Sequence, residues 1–202
     1  MTEARKPGPR PKPGVRDKLV QAGQRAMETN GYSATGISDI SEAAAVAKGS
    51  FYHYFDSKEA FAAAAADEYF EKHWAFLVSI LGDRSRDPLE RLKAYHLARI
   101  EAFRKGAFQK GCMLGNLGLE VADHSDLIRS HLDAHFARWS DLIASCIRDG
   151  QQQGKLSPAL DAEALGRHLL SSWEGAILRM RVEKNERALE EFVEFSFGYL
   201  LK

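Results

Sequence analysis

Cysteine is scarce in this chain. Only Cys112 and Cys146 occur, too few to build a disulfide scaffold, and a reducing, cytoplasmic compartment is the expectation. Long apolar runs are missing as well. The stretch Phe61 to Ala66 falls far short of the roughly 20 apolar residues that cross a bilayer, so no membrane association is expected. The first residues are charged and proline-rich, with no apolar stretch behind them, and no secretory leader is expected. Neither sign of charge is in excess. The 28 Lys and Arg balance 28 Asp and Glu, so overall basicity gives no pointer to nucleic acid. Proline is confined: four of the six lie at Pro7, Pro9, Pro11 and Pro13. Nowhere do β-branched residues alternate long enough to mark a strand, and the expected fold is all-α.

The distribution of charge is more telling than its sum. Up to Arg25 the bases are Arg5, Lys6, Arg10, Lys12, Arg16, Lys18 and Arg25, against only Glu3 and Asp17. Residues 1–14 combine four of these bases with proline and glycine, cannot form helix or bury a core, and read as a disordered basic arm. Arg10-Pro-Lys-Pro fits two readings, an arm that lies in a minor groove or a solvated tail.

After Gly14 the pattern is helical nearly throughout. Val15, Leu19, Ala22 and Ala26 keep one face apolar until Asn30-Gly31 stops the first helix, and Ile37, Ile40 and Ala44 line the second. Asp56-Ser-Lys-Glu59 reads as a capping box that opens a long helix. Gly82 to Pro88 is a polar break. Further helices are expected over 89–105, 114–121, 125–153, 161–183 and 186–201. In the last of these Leu189, Phe192, Val193, Ser196, Phe197 and Leu200 form one stripe, while Phe195 and Tyr199 are apolar on other faces. A terminal helix apolar on several sides needs a second surface to cover it, and a homodimer through residues 161–201 is the expectation.

The segment Thr35-Gly-Ile-Ser-Asp-Ile-Ser-Glu-Ala-Ala-Ala-Val-Ala-Lys-Gly-Ser-Phe-Tyr-His-Tyr-Phe-Asp-Ser-Lys-Glu59 reads as helix, tight turn, short helix and a new helix start. Two short helices so joined fit a major groove, and the second presents Lys48, the bare backbone of Gly49, Ser50, Tyr52 and His53 to phosphates and base edges. Composition alone leaves an aromatic core helix as an equal reading. The residue order closely resembles the DNA-binding signature of the TetR family of one-component transcriptional repressors, over about Val15 to Phe61. The resemblance implies a three-helix head over residues 15–56 and a ligand-binding and dimerisation body over 57–202. It also implies a palindromic double-stranded DNA operator and release by a small-molecule effector. By that likeness Lys48, Tyr52, His53 and Lys58 meet phosphates, Thr35 and Ser38 touch the DNA backbone, and Gly49 allows close approach. Ser50 is the candidate for a base edge. Phe51, Tyr54 and Phe55 take packing roles. Ala47 departs from the pattern, since many relatives carry a hydroxyl there.

Lys110-Gly-Cys-Met-Leu-Gly-Asn-Leu-Gly-Leu-Glu120 and Trp173-Glu-Gly-Ala-Ile-Leu-Arg179 resemble a branch of the family that answers to acrylate-type or other electrophilic metabolites. Cys112 follows Lys110 near a helix start, where base and helix dipole lower a thiol pKa; the plain alternative is a small buried hydrophobe. Asn116, Glu120, Trp139, Trp173 and Glu174 join Cys112 as the expected ligand-binding set, the tryptophans being equally at home in a core. Cys146, beside Ile143 and Ile147, reads as structural. His131 and His135 stand four apart, yet no third ligand has supporting spacing, so no metal is expected and a solvated or dimer-edge face is the reading. No phosphate loop, paired catalytic carboxylates or Ser-His-Asp order is visible, and no cofactor is expected. The rival to a regulator is a thiol-dependent detoxifying enzyme built on Cys112, with His124 as the only nearby histidine in sequence to serve as its base.

Overall fold

The computed structural model describes residues 13–201, so the basic arm, apart from Pro13 and Gly14, lies outside the described residues. Helix α1 (Val15–Asn30) ends at Gly31, whose φ of 84° suits only glycine well. Helices α2 (Ile37–Ala43) and α3 (Lys48–Phe51) follow, and α3 is a single α-turn continued by i→i+3 bonds from His53 and Tyr54. Between them the chain turns through left-handed Ala45 at φ 53°. The Ala45 amide donates to Glu42 and the Val46 amide to Ser41, both at 2.9 Å. This is a Schellman turn with alanine where glycine is the unstrained residue. A Cβ in this region costs about 1 kcal/mol. Ala45→Gly is therefore expected to raise the head's stability by about 0.5–1 kcal/mol, read as a higher midpoint in denaturant with an unchanged slope.

Long helix α4 (Lys58–Leu81) is capped by Ser57, whose Oγ accepts from the Ala60 amide at 3.0 Å. The expected capping box centred on Asp56 and Glu59 is absent: with Ser57 as cap the third helical residue is Ala60, which has no side chain to reach back. Glu59 instead accepts from the Ser125 hydroxyl. Helix α5 (Pro88–Lys105) opens on proline under an Asp87 cap; α6 (Met113–Val121), α7 (Asp126–Gln152) and α8 (Ala162–Glu183) follow. Helix α9 (Arg187–Phe195) does not run to the end as one α-helix. It loosens into a π-turn over Ser196–Leu200.

Helix α4 packs along α7, α7 along α8, and α8 along α9, with α5 closing the bundle against α4 and α7. Their shared core includes Leu77, Leu92, Tyr95, Trp139, Ile143 and Leu169. Buried Arg91 closes the C-terminal end of α4, donating to the Leu81 carbonyl at 2.8 Å while pairing with Asp149 at 2.7 Å. Among the described residues there is no strand, and no helix is long and apolar enough to cross a membrane.

Helices α1 to α3 form a small unit around Phe51, Phe55 and Phe61, whose rings lie 4.9–5.5 Å apart. Phe61 belongs to α4 and enters this unit beside Gly23 of α1, where a Cβ would overlap its ring. Gln24 donates from Nε2 to the Ala65 carbonyl at 2.8 Å, and Arg16 pairs with Glu68. Helix α4 is thus both the last wall of the head and the first helix of the body.

Candidate functional sites

In the head, Ser38, Lys48, Gly49, Tyr52 and His53 are exposed, and Ser50 is half-buried. Phe51 and Phe55 are core, as expected of them. A Cβ on Gly49 would meet nothing within 4 Å, so nothing inside the protein requires glycine there. Lys58 holds its ammonium over the Tyr32 ring at 4.2 Å, and partial burial lowers its pKa. Thr35 differs from the expectation. It is fully buried, and its hydroxyl donates to the Gly31 carbonyl at 2.7 Å, because it braces the turn between α1 and α2. Its side chain is therefore turned inward, away from any external phosphate.

A cavity of about 340 Å³ lies between α6 and α8 and is closed on one side by Phe136 of α7. Cys112, Asn116 and Glu174 line it together with apolar Leu119, Ile177 and Leu178. Three members of the expected ligand set stand elsewhere. Glu120 points out of the cavity: its Oε2 accepts from the Ser33 amide at 3.0 Å, tying α6 to the head. Trp139 packs edge-on to His73 at 4.6 Å, and Trp173 packs against His96 and Phe192 at 4.8 and 5.1 Å. Both are buried core residues that do not line this space.

The expected activation of Cys112 by Lys110 also fails. Lys110 turns to Glu28 of α1, paired at 2.6 Å. Burial, followed by the Glu174 carboxyl, pushes the Cys112 thiol well above its ordinary range. Glu174 moves in the same sense: burial raises its carboxyl to about 7, against the opposing pull of a Cys112 hydrogen bond and of Arg99. Arg179, at the end of the Trp173 segment, is exposed and pairs with Glu183 at 2.6 Å. The cation that does line the cavity is Arg181. It is seven residues after Glu174, two helical turns along the same face, and that spacing was the signal that sequence reading passed over.

Cys146 is buried, donates to the Leu81 carbonyl at 3.2 Å, and is pushed up to about 11 by burial. His131 and His135 are not a solvated face. Both hydrogen-bond to Oδ1 of Asp67 at 2.8 Å, binding α7 to α4, and His135 stacks on Phe70 at 4.3 Å. No group of three metal-ligating side chains that could hold an ion is found among the described residues. His124 is exposed, past the end of α6 opposite to Cys112, so the rival enzyme reading has no histidine base there.

A small helix-turn-helix unit carried on the first helix of an all-helical body, with a cavity within that body, is the layout of a one-component regulator. Residues 19–65 match the family model described as bacterial regulatory proteins, tetR family. Residues 88–195 match a tetracyclin repressor-like C-terminal domain. The chain belongs to the TetR family of bacterial regulatory proteins. It is 38% identical over 187 residues to the HTH-type transcriptional repressor DhaR of Mycobacterium sp. strain GP1, covering 93% of this chain and 92% of that one. To the transcriptional regulator AcuR of Cereibacter sphaeroides it is 36% identical over 180 residues, covering 89% and 82%. Among solved structures, a regulatory protein TetR from Rhodobacter sphaeroides superimposes with a TM-score of 0.84 at 35% identity, over 91% of this chain and 97% of that one. The reduced form of Escherichia coli NemR gives 0.81 at 25% identity, over 91% and 96%.

Proposed function

We propose that this protein is a dimeric transcriptional repressor of the cytoplasm that regulates rather than catalyses. A small electrophilic metabolite releases it from a palindromic operator. Residues 15–56 serve as the reading head and 57–202 as the effector and dimerisation body. The observation that carries the reading is the exposed Lys48-Gly-Ser-Phe-Tyr-His turn on a helix-turn-helix, with a glycine at 49 that no internal contact demands. Relatives named as repressors, DhaR and NemR, support the sign of regulation. Lys48 and Lys58 supply phosphate contacts, with Ser38, Tyr52 and His53 beside them, and Ser50 reads a base edge. Cys112, Asn116 and Glu174 form the effector site.

Coupling runs through α6. Its inner side floors the cavity at Gly115, Asn116 and Gly118, while Glu120 holds the Ser33 amide and Lys110, just ahead of the helix, holds Glu28. An occupant that displaces α6 changes the seat of the head, and the heads' separation sets operator affinity.

Selection of an operator from random duplex DNA, followed by titration across a range of salt, tests the reading. Lys48→Ala and Lys58→Ala are each expected to weaken binding and to reduce the salt slope by about 0.9, one phosphate apiece. Ser50→Ala is expected to relax preference at one base pair per half-site. Unchanged affinity and slope in both lysine variants would overturn the head assignment.

A further inference from the structure

The cavity holds few polar groups, and they converge. Glu174 Oε1 is enclosed without a hydrogen-bond partner. Oε2 lies 2.5 Å from where a Cβ on Gly115 would stand, so glycine at 115 makes the room that the carboxyl occupies beside Cys112. At Gly111, Asn116 Oδ1 and Arg181 Cδ come within 3.6 and 3.5 Å of the same Cβ position, which brings these two side chains to one end of the space. Arg179 and Arg187 are both held by Glu183, whereas Arg181 has no ion pair among the described residues. A thiol, a carboxyl with an unused oxygen, an amide and an unpaired guanidinium thus share an otherwise apolar cavity, at the lower end of ligand-site volumes.

We propose that Glu174 is the proton carrier for addition of the Cys112 thiol to a small, neutral α,β-unsaturated carbonyl compound, whose carbonyl oxygen is held by Asn116 and Arg181. The inference rests on the effector reading above and names the chemistry of that site. As the sulfur forms its bond to the β-carbon, the thiol proton passes to the Glu174 carboxylate and the π electrons move onto the carbonyl oxygen as an enolate. Asn116 and Arg181 stabilise that charge, as donors fixed at a developing oxyanion do. Glu174 then returns the proton to the α-carbon and is again a carboxylate. One C–S and one C–H bond form, the S–H bond and the C=C π bond are lost, and no oxidant or reductant is consumed.

The electrostatics agree with this division of labour. A buried thiol raised above its ordinary range does not ionise alone at neutral pH, whereas a carboxyl near 7 is suited to accept its proton there. The other ionisable groups around the pair are Tyr69 on α4, Tyr95 and Arg99 on α5, Asp133 on α7, and Arg167 and Arg181 on α8. Tyr69 and Tyr95 stay neutral, since burial raises both, which leaves Glu174 as the group that titrates near neutrality against Cys112.

The test is timed mass spectrometry of the full chain with acrylamide, between about pH 5.5 and 9, peptide mapping locating the adduct. For the wild type the rate at Cys112 is expected to rise through about 7 and level off. Glu174→Gln, a neutral isostere, is expected to slow addition by about 10²-fold and to move the rise to higher pH, toward the thiol's own ionisation; Glu174→Asp recovers part of the rate. Arg181→Met lowers the rate without moving the profile. Adduct formation at equal rate and profile in Glu174→Gln removes the proton-carrier role and leaves the effector site standing. No adduct on Cys112 in the wild type, with the protein still released from DNA by electrophiles, overturns both the step and the part of the effector reading that uses this cysteine. Faster addition by acrylate than by acrylamide, each relative to free cysteine, overturns the neutral class.

Discussion

Phe195→Glu is expected to leave a folded monomer that loses its operator. On the outer side of α8, α9 and the π-turn after it, Leu178, Val182, Phe195 and Tyr199 are 52%, 77%, 61% and 67% exposed, an apolar surface that a lone protomer leaves in water. Two copies joined through this face bury it, and a two-fold axis places each substitution in the interface twice. An unpaired carboxylate there costs several kcal/mol per copy. Each monomer keeps one head, and the loss of linkage between two heads lowers operator affinity by about 10²- to 10⁴-fold. Sedimentation and operator titration read the two effects together. The choice of residue decides what is measured. Phe192, on the apolar stripe of the last helix, lies in the protomer's own core against Trp173 at 5.1 Å and His96 at 4.9 Å. Phe197 is half-buried beside His96. Glutamate at 192 would unfold the body and say nothing of assembly. A wild type that sediments as a monomer at micromolar concentration would remove the dimer.

Gly23→Ala is expected to destabilise the head by about 2 kcal/mol, the usual cost of adding a methyl where a packed core cannot yield. The new Cβ falls on the Phe61 ring, which is wedged between Phe51 and Phe55. Helix α1 must then lift from α4, straining the Gln24 bond to Ala65 and the Arg16 pair with Glu68. Thermal unfolding followed by amide exchange should show lost protection in α1 to α3 and retained protection in α7 and α8. Uniform loss over the whole chain, or none, would show that the head is not seated in this way.

The helices were legible because apolar residues recur at helical spacing and because Gly31, Ser57, Asp87, Ser125 and Asp161 punctuate them with caps or stops. Periodicity says which face of a helix is apolar, but not which neighbour covers it. Phe192 on the stripe and Phe195 off it are both apolar in sequence, and only the crossing of α9 over α5 and α8 shows which is core and which is surface. The effector site was harder for the same reason. Asn116 and Glu120 share one side of a helix by spacing, yet the head lies against the end of α6, and Glu120 is spent on the Ser33 amide. Lys110 looked like the cation beside Cys112 because it is near in the chain. In space it belongs to Glu28, and Arg181, far off in sequence, takes the place at the cavity. The shift of the Cys112 thiol could not be read from its neighbours either, because desolvation depends on what packs over the sulfur.

Helix α6 is made of poor material for a helix. Gly115 and Gly118 fall within its nine residues, each about 1 kcal/mol worse than alanine, and Cys112 at its start makes no side-chain cap. Propensity alone does not hold so short a helix, so its shape depends on the walls around it. A molecule in the cavity replaces part of those walls. On the proposed coupling the floor would then rewind, shift or fray, while Glu120 near its end and Lys110 just ahead of it hold Ser33 and Glu28 of the head. Stiffening α6 with alanine at 118, where only Leu132 Cδ1 comes within 4.0 Å of the added methyl, would oppose that movement and hold the repressor on its operator.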